Sequence, residues 1–150
     1  MVTIGEGPRS VVLDLCIQSC AVTSVVRGHL TKRLQGLGED HRYDVLLVAT
    51  ELVTNVLEHT PGIGRLRVLR SNALCEITIE VDDTSELLPV YGRSRLGRTR
   101  GWGIVVVAKL AWEWGTRPLP VDGKTVFASV RCAEDETAAG WCEPVEWRWI

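Results

Sequence analysis

Arg65-Leu66-Arg67-Val68-Leu69-Arg70, then Ser71-Asn72, then Leu74-Cys75-Glu76-Ile77-Thr78-Ile79-Glu80-Val81 is the stretch on which the fold turns. Both runs alternate apolar and polar residues. That period of two gives a strand one buried and one solvated face. The polar pair between them is a turn signal, so the stretch reads as a hairpin with antiparallel strands. A second hairpin follows, with 114–120 and 124–131 framing a turn at Val121-Asp122-Gly123.

Upstream lie one strand and two helices. Residues 10–17 are rich in Val, Leu and Ile and read as a first strand. Ser19 caps a helix reaching about Leu34, with Val22, Val25, Val26, Leu30 and Leu34 on one stripe and Gly36 and Gly38 ending it. A longer helix covers about 40–59 and stops at Pro61-Gly62. Residues 84–100 read as a long polar loop with four arginines, of the length usual for lids and binding loops. Residues 101–115 are ambiguous, because Ile104-Val105-Val106-Val107 favours a strand while the following residues look helical. Hairpins with helices grouped against one face imply an α+β fold, a two-layer α/β sandwich with a mixed, mostly antiparallel sheet and three helices on one face.

Composition narrows the function classes. The chain has 150 residues, 45% hydrophobic and 24% charged, with formal net charge −2. That balance excludes a disordered chain and lacks the basic excess needed to capture nucleic acid through its phosphates. No apolar run is long enough to span a bilayer, and MVTIGEGPRS lacks the pattern of a secretory leader, so a cytoplasmic location is expected. The five cysteines include no CxxC pair, and they are expected to be small buried hydrophobes in a reducing environment.

Three segments carry candidate chemistry. Glu51, Asn55 and His59 are spaced by four and share one helix face. A carboxamide oxygen there suits Mg²⁺ and a carboxylate suits proton abstraction, though a solvated polar face accounts for the same pattern. Asp82-Asp83-Thr84-Ser85 ends a strand, where a carboxylate accepts a hydrogen bond from an exocyclic amine or simply begins a turn. Gly101 and Gly103, preceded by Arg93, Arg95, Arg98 and Arg100, allow backbone N–H groups to approach a phosphate at a helix start, or belong to a solvated loop.

Taken in order, Glu51-Leu-Val-Thr-Asn55 with His59, the strand ending in Asp83-Thr84-Ser85, Arg100-Gly101-Trp102-Gly103-Ile104 and Gly123-Lys124-Thr125-Val126-Phe127 resemble the anti-sigma-factor serine kinases of the GHKL ATPase superfamily, in particular their stand-alone actinobacterial ATP-binding regulators. The resemblance covers roughly residues 10–131. It implies a Bergerat-type ATP-binding domain over 1–131, followed by an acidic, Trp-rich tail over 132–150. It makes the segment after Gly101 a helix from about 102 to 111. It implies ATP and Mg²⁺ as cofactors, with Asn55 as the Mg²⁺ ligand and Glu51 as the catalytic base on a serine hydroxyl. Asp83 becomes the adenine-reading carboxylate and Thr125 a hydroxyl near the adenine, while Arg100, Gly101 and Gly103 border the phosphates.

The partners implied are a sigma factor and an anti-anti-sigma protein, with a homodimer and no direct contact to nucleic acid or membrane. The chain departs from the family pattern at Thr84, Thr99 and Trp102, where glycine or a smaller residue is usual. These departures keep a second expectation open, a nucleotide-binding docking module without turnover. Trp141, Trp147 and Trp149 in the tail suit either an interface or a cover over the chain's own core.

Overall fold

The computed structural model describes residues 9–17, 22–59, 64–71, 75–83 and 102–132. The elements are β1 (Arg9–Ile17), α1 (Val22–Arg33), α2 (Glu39–His59), β2 (Gly64–Ser71), β3 (Glu76–Asp83), α3 (Trp102–Leu110), β4 (Glu113–Pro118) and β5 (Lys124–Arg131). The strands form one five-stranded sheet in the order β1-β2-β3-β5-β4. The fold is therefore α+β.

The expectation of a mixed sheet is corrected, because every neighbouring pair of described strands is antiparallel. The connections explain why. Two helices, α1 and α2, separate β1 from β2. Two helical passes bring the chain back to the end where β1 finished, so β2 runs the opposite way. A single helix, α3, separates β3 from β4, and one pass makes those two strands parallel. They are not neighbours, since β5 lies between them and pairs antiparallel with both.

Alternation sorts the side chains of the sheet. Leu66, Val68, Ile77, Ile79, Val81 and Val126 face the helices and are almost fully buried. Against them pack Val45, Leu52, Val53 and Val56 of α2, Leu30 of α1 and Val107 of α3, in one hydrophobic core. Burying a side chain of this size contributes about 2 kcal/mol. Segment 102–110 is helical despite its β-branched run, because a helix apolar on all sides is stable when packed between neighbours, and α3 contacts both α2 and β4.

Two side chains fix the helices to the sheet. Arg33 Nη1 donates to the Val12 carbonyl at 3.2 Å, tying the end of α1 to β1. His41 is 1% exposed, and its Nε2 lies 2.8 Å from the Val130 carbonyl near the end of β5. Its Nδ1 lies 3.5 Å from Cys75 Sγ, just before β3 begins. The start of α2 is thus anchored where β3 starts and β5 ends. From there α2 packs along β3 and β5, toward the sheet end that carries Asp83 and Lys124.

The other face of the sheet is a lattice of ion pairs. Arg67 clamps Asp82 through Nη1 at 2.9 Å and Nη2 at 2.8 Å, and its Nε reaches Glu80 at 3.1 Å. Arg117 takes the other oxygen of Glu80 at 2.7 Å. Glu76 accepts from Arg131 at 2.8 Å and from Trp112 Nε1 at 2.7 Å, while the Arg131 guanidinium stacks 3.6 Å from the Trp112 ring centre. The cysteine expectation is also corrected. Cys16 is exposed on this face opposite Arg65, and Cys75 is disulfide-bonded.

Candidate functional site

Glu51 and Asn55 lie on α2 one turn apart, about 6 Å along the axis. Both are half-buried, beside the core row of Leu52, Val53 and Val56. Asp83 is the last residue of β3 and shares the helix-covered face with Val81 and Ile79. It is 3% exposed. Opposite it stands Lys124, the first residue of β5, with Nζ 3.2 Å from Asp83 Oδ2. A buried carboxylate thus meets a buried ammonium at the end of the sheet toward which α2 carries its carboxylate and carboxamide.

Thr125 lies elsewhere. It pairs with Asp82 rather than Asp83, and its Oγ1 donates to Asp82 Oδ1 at 2.6 Å on the ion-paired face. Successive strand residues point to opposite faces, so Asp83 and Thr125 are separated by the thickness of the sheet. The two residues expected near one ring thus stand on opposite faces of the sheet. The residue that shares Asp83's face is Lys124. Its parity with Val126, Ala128 and Val130 is legible in the sequence once the strand is recognised.

The neighbouring carboxylate is tuned by its own face. Burial acts to raise the Asp82 pKa, but hydrogen bonds from Arg67 and Thr125 outweigh it and hold the group below the ordinary carboxylate range. The Arg67 guanidinium is correspondingly held in its charged form, chiefly by Asp82.

Gly103 stands in the first turn of α3, directly after Trp102. Arg100, Gly101, Thr84, Thr99 and the tail beyond Cys132 lie outside the described residues, as do the side chains of His59 and Trp102. The structure therefore gathers α2, α3 and the Asp83 end of the sheet, since α2 packs on both α3 and β3. A carboxamide oxygen on a half-exposed helix face is a hard donor that suits Mg²⁺. A carboxylate one turn away can accept a proton from a hydroxyl. Among the described residues no helix is long and apolar enough to cross a membrane. No family model matches the chain, and no curated protein matches it.

Proposed function

We propose that this chain is an ATP-binding regulator of the anti-sigma type, acting as a serine kinase on an anti-anti-sigma partner and sequestering a sigma factor. The observation that carries the reading is the placement of Asp83, buried on the helix-covered face at the sheet end toward which α2 extends Glu51 and Asn55. Adenine recognition needs a sheltered carboxylate, and phosphate handling needs a metal ligand and a base within reach of it. Asn55 would hold the Mg²⁺ that offsets phosphate charge. Glu51 would accept the serine proton as the hydroxyl oxygen bonds to the γ-phosphorus and the β–γ bridging bond breaks, releasing ADP. The first turn of α3, with Gly103, would offer backbone N–H groups to the phosphates.

Titration calorimetry with ATP and Mg²⁺ tests the binding half. Asn55→Ala is expected to weaken Mg-ATP binding at least about tenfold. Phosphoryl transfer from labelled ATP to a cognate partner tests the other half, with Glu51→Ala losing transfer while retaining binding. No heat at millimolar ATP would sink the reading.

One observation favours a second reading, a docking module without turnover. The Asp83 carboxylate already accepts from Lys124 at 3.2 Å, so an adenine amine must compete with an ammonium for it. Retained sigma-factor capture with no phosphoryl transfer would select that module.

A further inference from the structure

At the opposite end of the sheet, we infer that the reduced chain binds a zinc-class divalent cation between His41 Nδ1, Cys75 Sγ and Cys132 Sγ. These three donor atoms lie within 4.8 Å of one another. The His41 Nδ1 to Cys75 Sγ separation is 3.5 Å. A tetrahedral zinc ion, with Zn–N of about 2.0 Å and Zn–S of about 2.3 Å, sets a nitrogen–sulfur edge of about 3.5 Å. The spacing needed is therefore present without rearrangement of that pair.

The imidazole is oriented for the task. Its Nε2 faces the Val130 carbonyl at 2.8 Å, and a carbonyl only accepts, so the proton sits on Nε2 and the Nδ1 lone pair faces the sulfurs. Metal-bound histidines use such an outer partner to fix tautomer and ring plane. The ring is 1% exposed, which removes water as a competitor for the lone pair. The sheet pairs the two cysteines: the Cys132 N–H donates to the Cys75 carbonyl at 3.2 Å, one step beyond the Glu76–Arg131 register pair. The donors thus come from the first turn of α2, the residue before β3 and the residue after β5. A bound ion would join the helical layer to the sheet at one corner.

The donor set chooses the ion. Two thiolates and an imidazole favour zinc-class ions over Mg²⁺, so this site does not compete with Asn55 for its metal. Two thiolate charges also balance a divalent cation, leaving no net charge to desolvate. Three protein donors leave one tetrahedral position for water or a further ligand. Cys75 is disulfide-bonded in this structure. A sulfur in a disulfide offers no thiolate, so cation and disulfide exclude each other and the site belongs to the reduced state.

The test uses the full chain, reduced with a phosphine, desalted anaerobically into metal-free buffer and titrated with Co²⁺. One equivalent is expected to produce a thiolate-to-cobalt charge-transfer band and tetrahedral d–d bands, and Zn²⁺ to abolish both. Cys132→Ser and His41→Gln are each expected to weaken Co²⁺ binding at least about tenfold. Gln keeps an N–H for the Val130 carbonyl, and far-UV circular dichroism without metal checks the fold of each variant. Should His41→Gln not fold, the partly exposed Cys132→Ser decides. The unreduced chain is expected to give no charge-transfer band. Absence of the band from the reduced chain, unchanged affinity in Cys132→Ser, or equal binding by the unreduced chain overturns the inference.

Discussion

Lys124 Nζ lies 3.2 Å from Asp83 Oδ2, and the two side chains are only 7% and 4% exposed. Both charges are out of water, so deleting one leaves the other in low dielectric without this ion pair. Lys124→Met keeps the apolar stem and deletes the charge. It is expected to destabilise the fold by about 3 kcal/mol, read as a lower urea midpoint. Adding Asp83→Leu should recover most of that loss, because an apolar pair of similar volume leaves no unpaired charge. A single-variant loss below about 1 kcal/mol would show that the pair contributes little.

Asp83 and Thr125 occupy opposite faces, and that separates their expected effects on nucleotide. Asp83→Asn is expected to weaken ATP binding at least about tenfold, because a carboxamide no longer offers two acceptor oxygens to an amine. Thr125→Val is expected to leave ATP binding unchanged. It should cost about 1 kcal/mol of stability through the lost 2.6 Å hydrogen bond to Asp82. Calorimetry and urea unfolding on the two variants check both statements. Equal loss of ATP affinity in both would return Thr125 to the nucleotide site.

The hairpins were legible because alternation is a local signal: the runs around Val68 and Ile79 pair as read. The helix at 102–110 was not legible locally, because Ile104-Val105-Val106-Val107 is strand-prone and only packing against α2 and β4 decides it. Glu51 and Asn55 could be placed on one face from spacing alone. Which neighbour of Asp83 shares its face depends on strand parity and on the β3–β5 register, and the Gly123-Lys124-Thr125 run by itself does not specify that register. The meeting of His41, Cys75 and Cys132 has no signature in the chain, since these residues are far apart in sequence and follow no metal-ligand spacing.

Acid should expose the ion-paired face. The folded-state pKa of Asp82 is lowered, so it lies below the unfolded value. Its contribution is therefore fully present above the unfolded pKa and is lost as pH falls through the folded one. Urea midpoints are expected to be flat from pH 7 to about 5 and to fall below about pH 4. Asp82→Asn should flatten that acid limb. Arg67→Met, which removes the two-pronged clamp on Asp82 and one of the two ion pairs of Glu80, should cost about 2 kcal/mol at neutral pH and weaken the limb as well. An acid limb identical in wild type and Asp82→Asn would assign the transition to other carboxylates.

Two glycines provide a test of the backbone packing that needs no ligand. A Cβ added at Gly64 would lie 2.7 Å from the Asp82 carbonyl oxygen and 3.0 Å from Ile17 Cγ1. That oxygen belongs to the β2–β3 ladder backbone, which cannot move without opening the pairing of Arg65 with Asp82. Gly64→Ala is therefore expected to destabilise by about 2 kcal/mol, the range of an overpacked core. Gly28 lies inside α1, exposed, with nothing within 4 Å of its added Cβ. Alanine there restricts the unfolded chain and fits the helix, so Gly28→Ala should stabilise by about 0.8 kcal/mol. Opposite shifts in thermal midpoint for the two variants are the expected result. A neutral Gly64→Ala would show that β1 and β2 do not pack as closely at Ile17 and Gly64 as their register requires.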